Sequence, residues 1–258
     1  MPQLRVSEMY CSIQGEGTNM GTPTMFLRFA GCNMRCPGWP CDTPHAIEPS
    51  IWLKESEKFE IQGLVDRIQA TTGVGVKNIC WTGGEPFIQP LAELQRLYWA
   101  LFEKGYSQEV FTNGSIDFPS WTWEMTKMMD WKLEGSGESG FNVPERERNA
   151  CGLTSRDGIK FVVTGRSDFD EAVNVWKHLM DIGCDAQFWV GEEEPNGPFQ
   201  WLIQRNGHRF GHRIVVLQHP GTDRAHPEGA PINVDFNGFP LLNHYLLARY
   251  SLGLMPVL

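Results

Sequence analysis

Residues Lys77–Lys104 read KNICWTGGEPFIQPLAELQRLYWALFEK and contain one complete structural unit. Lys77–Thr82 is a short apolar run stopped by Gly83-Gly84, the pattern of a buried strand. Leu91, Leu94, Leu97, Tyr98 and Leu101 then recur at spacings of three and four, which predicts a helix over roughly Pro90–Lys104 with one apolar face. A strand followed by a helix that must bury that face on it is a βα unit.

The same alternation extends in both directions. Thr24–Phe29 reads as the first strand; Glu109–Thr112, Lys127–Leu133, Gly158–Thr164, Asp185–Val190 and Arg213–Gln218 read as later ones. Phe169, Ala172, Val173, Trp176, Leu179 and Met180 mark a second long helix behind a cap at Ser167 or Asp168. Gly63–Ala70, Pro198–Arg205 and Leu241–Leu252 are shorter helical candidates. Ser136–Ser155, Gly191–Pro198 and Pro220–Pro240, rich in Gly, Pro or Glu, read as loops. The expectation is a single α/β domain over 1–258 with a mainly parallel sheet, followed from about 220 by an extension that this pattern does not place. In such sheets chemistry collects at the C-terminal strand ends. The notable motifs lie there: Gly31–Cys41 after the first strand, Gly83–Pro86 after the second, Asn113-Gly114 after the third.

Composition narrows the partners. The 27 Gly and 17 Pro among 258 residues speak against a helical bundle. A net charge of −9 without a basic stripe lacks the footprint of a nucleic-acid binder. No apolar run reaches the ~20 residues of a membrane span, and Met1-Pro2-Gln3-Leu4-Arg5 does not open a signal peptide, so the chain is read as cytoplasmic. Seven cysteines, an odd number, fit reduced thiols better than a disulfide framework.

Three of those cysteines crowd together. Gly31-Cys32-Asn33-Met34-Arg35-Cys36-Pro37-Gly38-Trp39-Pro40-Cys41-Asp42-Thr43 has the spacing C-x3-C-x4-C. Three thiolates on one loop hold three irons of a [4Fe–4S] cubane and leave the fourth open to a ligand. Zinc is the rival, with His45 as a fourth ligand at C-x3-C-x4-C-x3-H. Thr82-Gly83-Gly84-Glu85-Pro86 adds backbone unobstructed by any Cβ, and an acid able to accept from an ammonium group. Read alone it is a turn with a capping acid; next to the cysteine loop it reads as a cofactor edge.

At these residues the chain resembles the radical S-adenosylmethionine enzymes and, among them, the 7-carboxy-7-deazaguanine synthase family. The resemblance rests on Ser12-Ile13-Gln14-Gly15-Glu16-Gly17, Phe26–Asn33 (FLRFAGCN), Cys41-Asp42-Thr43, Thr82–Pro86, Thr112-Asn113-Gly114-Ser115 and Lys160–Val163, in family order. It implies a partial (βα) barrel, a homodimer, Mg²⁺ dependence, and an electron donor such as flavodoxin or ferredoxin. The implied reaction rearranges 6-carboxy-5,6,7,8-tetrahydropterin to 7-carboxy-7-deazaguanine with loss of ammonia, begun by one-electron cleavage of S-adenosylmethionine. Carried over position by position, Cys32, Cys36 and Cys41 hold the cluster and Thr43 offers a hard oxygen to Mg²⁺. Ile13, Gln14, Gly15, Glu16 and Thr82 meet the pterin, and Arg28 meets its carboxylate with a planar fork; Glu16 and Arg28 are the catalytic candidates. Asp42, Gly83, Gly84, Glu85, Thr112 and Asn113 line the S-adenosylmethionine side.

Three departures from the family pattern stand out. Four residues, Pro37-Gly38-Trp39-Pro40, separate the last two cysteines where the family commonly has two. The family's Ser-Pro-Lys cofactor segment is replaced by Trp131–Ser136 (WKLEGS), which leaves Lys132 or Ser136 as its substitute. The family's terminal Gln-Thr-His becomes Leu217-Gln218-His219-Pro220 with a tail to Leu258, and His219 is the corresponding substrate contact. With these departures the chain is similar to phage-type variants. Two other readings stand beside this one: a glycyl-radical activase, against which Ile13–Gly17 argues, and a zinc-stabilised binding module.

Overall fold

The computed structural model describes residues 2–38, 41, 43–192 and 214–218. It opens with an antiparallel pair, β1 (Leu4–Ile13) and β2 (Pro23–Phe29), with the short β3 (Glu57–Phe59) antiparallel on the other side of β1. From β2 onward every pairing is parallel, through β4 (Asn78–Gly83), β5 (Ser107–Thr112), β6 (Thr126–Trp131), β7 (Gly158–Val163), β8 (Gln187–Glu192) and β9 (Ile214–Gln218). The sheet order is β3-β1-β2-β4-β5-β6-β7-β8-β9. The helices are α1 (Pro44–Ile47), α2 (Pro49–Glu55), α3 (Ile61–Thr71), α4 (Leu91–Glu103), α5 (Val143–Cys151) and α6 (Arg166–Asp181).

Side-chain alternation gives this sheet two different faces. Leu27, Phe29, Ile79, Trp81 and Val110 point outward and are buried with Leu64, Ile68, Leu94 and Leu97 of α3 and α4. Ile159, Phe161 and Val163 do the same with Phe169, Ala172 and Leu179 of α6. The alternate positions, Cys80, Thr82, Phe111, Asp130, Lys160 and Val162, line the opposite, concave face. Polar side chains on that face are what a closed apolar core would forbid and a binding lumen requires.

The sheet is curled. Between β1 and β7 lie four strands, so a flat sheet would separate those two by about 24 Å at ~4.8 Å per step. Yet Lys160 Nζ of β7 is 2.7 Å from Glu16 Oε2, just past the end of β1. Among the described residues β3 and β9 remain edges, so the barrel is partial, as the resemblance implies.

Several sequence expectations change. The first strand is β1, not Thr24–Phe29, and its mixed run LRVSEMYCSI obscures it because both its faces are only partly buried. Ser136–Ser155 is not all loop: it contains α5, a markedly polar helix whose apolar periodicity is faint. The cap of α6 is Gly165, not Ser167 or Asp168; Asp168 lies in the first turn and accepts from Thr164 N and Thr164 Oγ1 at 2.9 and 2.7 Å. Gly191 and Glu192 belong to β8, whereas the rest of the Gly191–Pro198 loop, the Pro198–Arg205 and Leu241–Leu252 helices and the extension from 220 lie outside the described residues. Among the described residues, no helix is long and apolar enough to cross a membrane.

Candidate active site

The concave face encloses a cavity of about 400 Å³ at the C-terminal ends of the parallel strands. Its walls include Cys32, Cys36 and Cys41 with Thr43 from the loop after β2, and Ile13, Gln14, Gly15 and Glu16 from the turn after β1. Arg28, Thr82, Gly83, Gly84, Thr112, Asn113 and Lys132 also line it. Residues scattered over more than a hundred positions of sequence thus converge on one space.

The cysteine loop is seated by the strands beside it. Gly84 N donates to Phe29 O at 3.1 Å and Glu85 N to Gly31 O at 2.8 Å, locking the end of β4 to the start of the loop. A Cβ on Gly84 would stand 1.8 Å from the Gly31 carbonyl oxygen, so only glycine fits. From β5, Asn113 Nδ2 donates to Asn33 Oδ1 at 2.9 Å, and Asn33 Nδ2 donates to Ser115 Oγ at 2.8 Å. The turn at Thr112–Ser115 therefore braces the residue after the first cysteine.

Glu85 is placed differently from the expectation that it faces a cofactor ammonium. It is fully buried behind the Gly83-Gly84 edge, and its carboxylate accepts from Phe87 N, Thr112 Oγ1 and Asn113 N at 3.1, 2.8 and 2.7 Å. Burial pushes its carboxyl up to about 7, outweighing these donors. Ser136 also lies behind the wall, its hydroxyl donating to Leu133 O at 2.6 Å. Asp42 and His219 lie outside the described residues.

Two ion pairs, four charged groups, face the lumen, pairings that the motifs alone did not show. Lys132 pairs with Asp130 at 2.7 Å and Lys160 with Glu16 at 2.7 Å, with lysine side chains only 12% exposed. Burial alone would lower both lysines, but the carboxylates beside them outweigh it and hold both above the usual lysine range. Alternation along β6 and β7 is the sequence signal that puts Asp130, Lys132, Lys160 and Val162 on one face. Glu109, buried beneath the turn after β1, accepts from Gln14 Nε2, Asn19 Nδ2 and Asn78 Nδ2 at 2.5, 2.7 and 2.9 Å. Its side chain fixes the bend of Gln14–Met20, which no short-range pattern shows. Arg28 donates to Tyr10 Oη at 3.0 Å and stands 3.1 Å from Glu8.

The donor set fits an iron–sulfur cluster. Burial pushes the thiols of Cys32 and Cys36 up to about 11, so thiolates there require a strongly cationic partner, which iron supplies. Among the described residues, no three His, Cys, Asp or Glu side chains converge tightly enough to hold one metal ion. Thr43, 3% exposed and with its hydroxyl 3.4 Å from Cys41 Sγ, offers a hard oxygen at the cluster's edge.

No family model matches the chain. A 7-carboxy-7-deazaguanine synthase from Leptospira interrogans, however, is 31% identical over 229 residues, covering 83% of this chain and 93% of that protein. The chain belongs to the 7-carboxy-7-deazaguanine synthase family. Another member of the family, from Methanospirillum hungatei, is 33% identical over 193 residues, covering 72% of this chain and 71% of its own. The crystal structure of QueE from Escherichia coli superposes with a TM-score of 0.63 over 84% of this chain and 95% of that one; at 23% identity it supports the fold. Membership places the chain among the radical S-adenosylmethionine enzymes.

Proposed function

We propose that this protein converts 6-carboxy-5,6,7,8-tetrahydropterin to 7-carboxy-7-deazaguanine with release of ammonia, in the lumen described above. The observation that carries the reading is the convergence of the three cysteines and the Ile13–Glu16 turn on a single cavity, in a chain of this family. When bound, the [4Fe–4S] cluster and S-adenosylmethionine supply the one-electron chemistry that lets a carbon radical take hydrogen from the substrate.

The protein's own residues divide the remaining work. Cys32, Cys36 and Cys41 hold the cluster. The open backbone at Gly83-Gly84, with Thr112, Asn113 and Lys132, faces the cofactor side, Asp42, which follows Cys41 in sequence, is assigned to the cofactor as well, and Glu85 and Ser136 support this wall from behind. Lys160 holds Glu16 in place through a 2.7 Å ion pair, so that Glu16 and Gln14 present acceptors to the N–H-rich pterin edge. Arg28, on β2 between the two motifs, offers its guanidinium fork to the substrate carboxylate, exchanging the exposed Glu8 for it. Thr43 supplies an oxygen to Mg²⁺. The strand wall excludes water from the reacting atoms. His219 as a further substrate contact, a homodimer, a cytoplasmic location and a flavodoxin- or ferredoxin-type donor complete the proposal.

The test is anaerobic reconstitution with iron and sulfide, then assay with the tetrahydropterin, S-adenosylmethionine and Mg²⁺. About four irons per chain with a broad absorbance near ~400 nm, and formation of deazaguanine, are expected. Cofactor cleavage without deazaguanine would reject the substrate; stoichiometric zinc in place of iron would reject the catalytic reading.

A further inference from the structure

The turn that follows β6 also grips the cysteine loop. Glu138 Oε1 accepts from Arg35 N at 2.7 Å and from Cys36 N at 3.4 Å. Two residues further along, Gly38 N donates to Ser136 O at 3.1 Å, and a Cβ on Gly38 would meet the Gly135 carbonyl oxygen at 1.8 Å. The grip is anchored in turn: Glu138 N donates to Ser136 Oγ, Gly135 N to Asp168 and Glu134 N to Glu171, both acids being on α6. Cys36 itself sits at φ +43, a left-handed conformation that costs a non-glycine residue of order 1 kcal/mol or more unless its surroundings enforce it. Pro37-Gly38, the described part of the arm that departs from the family's sequence pattern, therefore lies against the turn after β6, the other such departure.

We propose that Glu138 is a positioning residue for the cluster: its carboxylate clasps the amides of Arg35 and Cys36 and holds the middle sulfur of the three in place. A carboxylate accepting backbone N–H groups makes a charge-assisted contact, stronger than a neutral one. It supplies the constraint that keeps Cys36 left-handed. It also sets one negative charge beside the Cys36 thiolate, and that charge disfavours adding an electron to the cluster. The clasp rests on the reading of these cysteines as cluster ligands.

The experiment compares wild type, Glu138→Ala, Glu138→Gln and, as a control on the same turn, Glu134→Gln, all reconstituted anaerobically. Release of iron to a chelator is timed, and the cluster's midpoint potential and reduced-state EPR spectrum are recorded. Glu138→Ala should release iron about tenfold faster, the factor corresponding to one charge-assisted hydrogen bond. Glu138→Gln should shift the potential positively, and Glu134→Gln should match wild type in both. Wild-type iron release in Glu138→Ala with an unchanged potential in Glu138→Gln would overturn the clasp. If Glu138→Ala does not fold, an unchanged potential in Glu138→Gln overturns it alone. Failure of wild type itself to take up a cubane rejects the cluster assignment instead, which keeps the two conclusions separate.

Discussion

Gly84→Ala tests the seam on which the site is built. The new Cβ would stand 1.8 Å from Gly31 O and 2.5 Å from Gly31 C. Ordinary contact begins near 3.4 Å, so two backbone segments must part by roughly 1.6 Å, and neither can yield as a flexible side chain would. That movement breaks the bonds Gly84 N to Phe29 O and Glu85 N to Gly31 O. Each is worth about 1 kcal/mol, and overpacking a dense interior adds about 1–3 kcal/mol. The expected loss is about 3–5 kcal/mol of unfolding free energy, read by urea denaturation of the apoprotein. The displaced cysteine loop should also bind fewer irons per chain. Gly63→Ala is the control: it lies in α3, its Cβ would meet nothing within 4 Å, and it should stabilise by about 0.5–1 kcal/mol. A Gly84→Ala protein within 1 kcal/mol of wild type, with full iron content, would refute the argument that this approach requires glycine.

Three further outcomes are expected. Glu85 is pushed by burial to about 7 from 4.5, so the folded state holds its proton more tightly than the unfolded one. Its contribution is whole below pH ~4.5 and disappears as pH rises through ~7, a loss of about 3 kcal/mol. The difference in unfolding free energy between wild type and Glu85→Gln, measured from pH 5 to 8, should show that slope; a flat difference removes it. Lys160→Met leaves Glu16 without its 2.7 Å partner and should raise the pterin Kd by about tenfold or more, measured by titration calorimetry. An unchanged Kd would take the pair out of the substrate site. Glu109→Ala strips the acceptor from Gln14, Asn19 and Asn78 and should cost about 3 kcal/mol in chemical denaturation. A double-mutant cycle with Gln14→Ala should give a coupling above ~1 kcal/mol, and additivity would refute the network.

The βα alternation, the cysteine loop and the Gly-Gly edge were legible in sequence because each depends on local rules. Apolar periodicity marks strands and helices that bury one face, and ligand spacing and glycine pairs occupy only a few consecutive residues. β1 and α5 escaped for the same reason in reverse: one is a partly exposed strand, the other a helix with little apolar signal. The motifs carried the resemblance to a family, and the relatives bear that out.

Other features depend on the curl of the sheet, which is a property of the whole chain. Residue types alone make Glu85 a candidate partner for an ammonium group, yet its position behind the glycine edge turns it into a support for Thr112 and Asn113. Lys160 is an ordinary strand lysine until curvature brings it to Glu16, and Glu138 is an ordinary loop acid until the turn after β6 meets Cys36, 102 residues earlier. Sequence determined which groups this protein possesses and in which elements they sit. Tertiary structure decided which of them share a desolvated space, and in that space a few ångströms separate a ligand from the residue that holds it in place.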